Sequence, residues 1–445
     1  MTNEQLKITD HAPANKDEIT AWLMYDWANS AFATTVTTTF LGPYLVSLTE
    51  AQGGTVRILG FDLPGETFFT YSISISVILQ VIILPVLGAV ADYTDLKKRL
   101  MLSFAYTGGI AATLLFFIQG NLILLGGLLF IIANLSFGAA IVFYNAFLPD
   151  ITGPDERDAV SSKGFAYGYV GGGTLLLLNL ILFNIMEDTQ LAVRLSLASG
   201  GIWWLAFTLW YPQRRLVQRQ PALRLPLGTN YLTHSVIELI ASLKEMKQRY
   251  PQTMRYLIGY LVYNDGIQTI IAVATIFGTT EIGLSASSLA LVVLAIQFVA
   301  AIGAIIFNQV AGRLGAKLTI IINLALWCGI LIYAYGFLYT EFQFWILSIM
   351  VALVLGSSQA LSRSLFSQMI PANRESAYFG LYEISERGTS WIGPIVFGLA
   401  VYLTGSSRVA MLPIIIFFIF GIVVLYFTDI RRAIREAGNE VPAVV

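Results

Sequence analysis

Apolar runs of twenty or more residues recur along almost the whole chain, parted by short polar breaks. A helix needs about twenty apolar residues to cross a hydrocarbon core of roughly 30 Å. In lipid the backbone must satisfy its own hydrogen bonds, so spanning segments are helices or closed barrels. Runs this long, without strict alternation, read as helices. At roughly 30–35 residues per span and loop, the chain holds about twelve to fourteen of them. With 56% hydrophobic and 12% charged residues, it is far from a soluble domain, where charged residues are about 25%. A soluble enzyme and a disordered chain are both excluded.

Hydropathy predicts twelve spans. Six lie at 22–48, 68–91, 100–118, 122–148, 164–185 and 191–211, and six at 254–277, 287–310, 318–339, 342–365, 378–403 and 409–427. If the N-terminus is cytoplasmic, the outward loops hold only Arg57, Arg194 and Arg408 of the 26 basic residues. That asymmetry is the positive-inside pattern with both termini cytoplasmic. The expected organisation is a cytoplasmic segment (1–21), a six-helix bundle (22–211), a cytoplasmic linker (212–253), a second six-helix bundle (254–428) and a cytoplasmic tail (429–445). In the linker, Leu232, Val236, Leu239, Ile240, Leu243 and Met246 recur at helical spacing. They predict an amphipathic helix that lies on the membrane or packs under the spans. The first twenty residues have no apolar core or cleavage pattern, so no signal peptide is expected.

Other global features mainly exclude. A net charge of −1 points away from nucleic acid. The single cysteine, Cys328, sits in an apolar run and reads as an inert buried thiol. His11 and His234 lie in polar segments, which removes an intramembrane histidine relay and a His-ligated haem. No P-loop, HExxH, GxSxG or cysteine–histidine cluster occurs, so neither catalysis nor a metal or cofactor is expected.

The two sets of spans echo each other. GAVADYTDLKKR (88–99) leaves the second span and NQVAGRLGAK (308–317) the eighth. Leu148-Pro149 ends the fourth and Ile370-Pro371 the tenth. Tyr25-Asp26 in the first span matches Tyr263-Asn264-Asp265 in the seventh. Paired repeats around a midplane site are a transporter architecture. Gly88 through Asp92 to Lys97, Lys98 and Arg99 resembles the loop signature of the major facilitator superfamily. Asp92 can there accept bonds from the first amides of a neighbouring helix. Gly312 stands where the second copy would carry an acid. A narrower resemblance covers nearly the whole chain. WLMYDWANSAF (22–32), YNDGIQT (263–269), SQALSRSLFSQMIP (358–371) and YFGLYEISERGTSWIGP (378–394) are similar to the vacuole-effluxer-like branch of that superfamily. This implies an all-α integral membrane protein of twelve transmembrane helices in two pseudo-symmetric six-helix bundles. It also implies a secondary transporter, with a eukaryotic relative implicated in vacuolar amino-acid efflux.

Charges inside spans are the first functional candidates, because each costs at least roughly 2.5–3.5 kcal/mol to insert. Asp265, flanked by Asn264, Gln268 and Thr269, reads as a proton-coupling or substrate group, or else as a structural carboxylate that caps backbone. Asp26, one turn from Asn29, suits a gate or positioning role more than direct substrate contact. Its aromatic neighbours Trp22, Tyr25 and Trp27 suit interfacial anchoring or packing more than a cation cage. Glu383 and Arg387, spaced i, i+4, form either a structural ion pair or a set that binds a zwitterion. Glu386 points elsewhere. Arg363 is near a span end, where it can snorkel or pair with Asp26 or Asp150 as a gate. Asn134, Tyr144, Asn145 and Asn179 are candidates for a cavity wall or for ties between helices. Gly171, Gly172 and Gly173 predict close helix packing or a hinge. The expected protein is a monomer of a bacterial cytoplasmic membrane that moves an amino acid or similar zwitterion, either coupled to protons or by uniport. A solute sensor without transport and a lipid flippase are the competing readings.

Overall fold

The computed structural model describes residues 15–58, 60–221, 241–387 and 392–445. The side chains of Ala286 and of residues 384–387 lie outside the description. Among the described residues ten helices are long and apolar enough to cross a membrane. The first half contributes Gly65–Asp92, Lys97–Phe117, Ile123–Ile151, Pro154–Ile185 and Thr189–Arg215. The second contributes Pro251–Thr280, Ser287–Leu314, Ala316–Phe337, Glu341–Gln368 and Val409–Phe427. Two composite segments complete twelve spans. The first span runs as α-helix Lys16–Ala31, π-helix Phe32–Phe40 and α-helix Leu41–Glu50. The eleventh comprises Glu375–Arg387 and Ile392–Thr404, on either side of residues outside the description.

Pro43 stands three residues beyond the π-helical stretch and has no N–H, so the Thr39 carbonyl lacks its usual donor four residues on. The Thr38 and Thr39 hydroxyls donate to the carbonyls of Ala33 and Thr34, five residues back. A short antiparallel hairpin pairs Thr55–Ile58 with Phe61–Pro64 between the first two spans, an addition to the all-helical expectation. The first helix begins at Lys16, six residues before the expected boundary, with Asn15 as its N-cap.

The two bundles repeat the same packing with an offset of six spans. In the first half, span one packs on five and six, three on four and six, and two on four. In the second, seven packs on eleven and twelve, nine on ten and twelve, and eight on ten. Between the halves, span two packs on eleven and five on eight, two pairs that exchange under the same offset. Lipid is as apolar as leucine, so cohesion here rests on close contact and interhelical hydrogen bonds. Gly88 shows how close. A Cβ there would collide with the Ser376 carbonyl, and one on Gly380 would stand 2.9 Å from Pro85 Cα. The Gly171–Gly173 run is also a packing surface. Gly171 and Gly172 face Trp27 and Thr34 of span one, and Gly173 faces Gln297 and Phe298 of span eight.

The halves are joined at one face, which carries Lys16, the basic loops and the C-terminal segment; we call it the basic face. The Arg157 guanidinium donates to the Ser367 carbonyl (3.1 Å), the Ser364 hydroxyl to Asp158 (2.6 Å) and Tyr169 OH to Gln359 (2.9 Å). Among the described residues, hydrogen bonds between the halves reach no farther outward than Tyr169–Gln359. Residues 429–445 also dock. Asp429 caps the helix Ile430–Glu436, whose Ile430, Ala433 and Ile434 are buried. Asn439 donates to the Gln368 and Ile370 carbonyls, and Ala443 N–H donates to Asp155 in the other half. In the linker, residues 222–240 are outside the description. Residues 241–249 are helical and pack under the second bundle, where Met246 is buried and Arg374 pairs with Glu245 and Ser242.

Candidate functional site

A buried polar network crosses between the halves a few turns in from the basic face. Arg363, from span ten, is 4% exposed and reaches away from its own bundle. It does not snorkel to the interface, because acceptors and rings of the first half surround it. Its Nε donates to Ser161 Oγ (3.0 Å), Nη2 to the Ser161 carbonyl (2.9 Å) and Nη1 to Asn145 Oδ1 (3.3 Å). Nη1 also lies 3.7 Å from Asp26 Oδ2, an ion pair across the halves. The guanidinium carbon stands 4.3 Å from the Phe165 ring centroid, 4.8 Å from Trp22 and 5.5 Å from Tyr144. Cations over aromatic faces at these distances are attracted by the ring quadrupoles.

Neighbouring side chains fix this arrangement. Trp22 stacks on Tyr144 at 4.3 Å, and its indole N–H donates to the Tyr144 carbonyl (2.8 Å). Tyr144 OH donates to Asp26 Oδ2 (2.9 Å). Asn145 is a pivot: its oxygen accepts from Arg363, and its Nδ2 donates to Glu383 Oε1 (3.0 Å) in span eleven. Both faces of that amide thus bind the opposite half. Trp22 and Tyr25 are fully buried, so neither anchors at the membrane interface. Trp22 is one wall of the cage around Arg363.

The remaining predicted residues fall elsewhere. Asp265 is 1% exposed and accepts from Gly393 N–H (2.8 Å), in the first turn of Ile392–Thr404. Among the described residues its Oδ1 has no hydrogen-bond partner, and no bond joins Asp265 to the Asp26–Glu383 network. Asn264 is buried beside it and Gln268 is half-buried. Asn29 is 1% exposed and accepts weakly from Ser30 (3.4 Å). Asn134 ties span four to span two through Ser76 and Gln80, and Asn179 ties span five to span six through Ser199. Both are helix ties within the first half. The Arg387 and Glu386 side chains lie outside the described residues.

Nearer the basic face, Asp92 accepts from Ser376 N–H (3.0 Å) and Ala377 N–H (2.8 Å). It sits at the N-terminus of Glu375–Arg387, where a carboxylate complements the helix dipole and its unpaired amides. Lys97 pairs with Asp150 (3.1 Å), so Asp150 is not the acid beside Arg363. Lys98 N–H donates to Gln218, and Arg99 is exposed. Ser161 and Phe165 are the residues that sequence reasoning missed. Both lie in the helix Pro154–Ile185, whose start ten residues before the expected span brings in Ser161, while Phe165 is one residue inside the expected span. The signal was available: Pro154, Asp155 and Glu156 make a proline-led, acidic first turn.

Twelve spans in two repeated bundles, joined by buried charges, define a major facilitator-type membrane transporter. The chain belongs to the vacuole effluxer Atg22-like family, whose model matches residues 14–438. It is 30% identical to an uncharacterized MFS-type transporter, YxiO of Bacillus subtilis, over 95% of this chain and 97% of that one. It is 24% identical to autophagy-related protein 22-1 of Penicillium rubens, over 96% and 92% of the two chains. Among solved structures, it superposes on the transporter FucP in its outward conformation with a TM-score of 0.65 at 14% identity, over 93% of this chain and 98% of that one. The human organic anion transporter MFSD10 gives 0.66 at 13% identity, over 93% and 100%.

Proposed function

We propose that the protein is a secondary active transporter that moves a small polar solute, an amino acid or similar zwitterion, by alternating access. The observation that carries this reading is the composition of the network between the halves. Asp26 belongs to the first half, while Arg363 and Glu383 belong to the second. When the halves part, the carboxylate and the guanidinium separate onto opposite walls. A zwitterion entering between them meets an acceptor for its ammonium on one side and a donor for its carboxylate on the other. Alternation between two such states is a rigid-body exchange around a fixed site.

In this reading the basic face is cytoplasmic, both termini are inside, and the structure is the state closed to the cytoplasm. Protons are the coupling ion, with Asp265 as the titrating group and Asp26 and Glu383 assisting. Asp265 is suited to this because one oxygen is held by Gly393 while the other is unbonded among the described residues.

Reconstitution into proteoliposomes tests the reading. Labelled amino acids should accumulate when a pH gradient is imposed and should exchange in counterflow without one. Binding without counterflow would replace transport with sensing, and movement of a labelled lipid would replace it with flipping.

A further inference from the structure

Among the described residues, the groups that form the cage around Arg363 belong to the first half. Its three rings, its carboxylate and its acceptor oxygens come from Trp22, Asp26, Tyr144, Asn145, Ser161 and Phe165, and the cation comes from the second half. Two of its bonds are internal to the first half: Trp22 Nε1 to the Tyr144 carbonyl, and Tyr144 OH to Asp26. Ring stacking of Trp22 on Tyr144 adds to them. A rigid-body departure of the second half would therefore withdraw Arg363 and leave the cage assembled. What remains has the composition of a receptor for organic cations: aromatic faces, one carboxylate, and oxygens positioned around a planar group.

We infer that this cage is a binding site for the guanidinium or primary ammonium head of a small organic cation, entering from the basic face, and that Arg363 is a tethered occupant which the free cation replaces. The inference deepens the transport reading by assigning the cationic end of the solute to one place. Asp26 supplies the charge, the three rings exclude water and stack on the head, and Ser161 and Asn145 accept its N–H groups. Closure of the basic face then drives the cation head off the cage and into the space between the halves, because Arg363 returns to the same position. Competition between solute and Arg363 couples occupancy to the state of the gate.

Equilibrium dialysis of radiolabelled methylguanidinium against the purified full-length protein in lipid nanodiscs tests this. Arg363→Ala should bind methylguanidinium at least about tenfold more tightly than the wild type, because apparent affinity rises when a competing occupied state is removed. Adding Asp26→Asn or Phe165→Leu to that variant should reverse the gain. Equal affinity in the wild type and Arg363→Ala, or a gain that survives Asp26→Asn, overturns the inference. If Arg363→Ala fails to purify folded, Arg363→Lys replaces it. A compact ammonium loses the planar stacking and the fork of donors, so the gain should be smaller but in the same direction, and no gain overturns the inference. The measurement needs no transport. Cage binding in a protein that moves no solute would end the transport reading alone, and transport without cage binding would end only this one.

Discussion

Arg363 and Asp26 form a pair that is nearly dry, 4% and 7% exposed. Two charges in such a place are individually costly, and breaking a buried pair by removing one member costs about 3–5 kcal/mol. Asp26→Asn and Arg363→Ala should each lower the thermal midpoint of the purified protein by several degrees. The double variant should lose less than the sum of the two, as expected for residues that share one interaction. Additive losses would show that the pair does not couple. Asp92 is a smaller lever. Asp92→Ala should remove the cap on Glu375–Arg387 at a cost of about 0.5–2 kcal/mol, read as faster hydrogen exchange at the Ser376 and Ala377 amides. Asp92→Asn should retain part of the cap, because the amide oxygen still accepts.

At the scale of elements, a hydrogen bond from Gly393 N–H to Asp265 joins the eleventh span to the seventh, with Gly393 so close to Thr269 that a Cβ there would collide with its hydroxyl. Substitution at Asp265 separates the structural role of that bond from proton coupling. Asp265→Asn keeps an oxygen to accept from Gly393 but removes the titratable proton, so stability should be retained while gradient-driven accumulation is lost and counterflow persists. Asp265→Leu should lose both stability and transport, because the Gly393 amide loses its side-chain acceptor. Full accumulation by Asp265→Asn would assign the carboxylate to structure alone. The fifth span has a different role, since its glycine run is a rail between spans one and eight. A leucine at Gly172 would meet Thr34 and the Ser30 carbonyl and should impair folding of the first half.

For the whole molecule, the described hydrogen bonds between halves sit on the basic side, and the C-terminal segment spans both halves. Asn439 holds the end of span ten, and Ala443 reaches Asp155 beside span five. Truncation after Glu436 removes these bonds, each worth about 0.5–1.5 kcal/mol net. It should increase hydrogen exchange across Ser367–Ile370 without unfolding either bundle. Unchanged exchange there would show that the segment is not part of the closure.

Much of the fold was legible before any coordinates. Apolar run length sets span number because bilayer thickness is fixed, and basic residues mark one face because they resist translocation. The same arithmetic isolates Asp26, Asp265, Arg363 and Glu383, since a charge inside a span stands out against its surroundings. The loop that resembles the superfamily signature also marked Asp92 as able to accept from a neighbouring helix's first amides, because helix starts supply unpaired donors. What it could not decide is which charges meet. Asp26 and Arg363 lie 337 positions apart along the chain, and only the docking of two bundles puts them at 3.7 Å while Asp265 stays with Gly393. Trp22 reads as a packing or interfacial residue, and Tyr144 as a cavity wall or helix tie, until a cation from the other half comes to rest beside them. Local propensity specifies each helix, but partners across an interface depend on how rigid helices fit together, and that fit is a property of the tertiary structure.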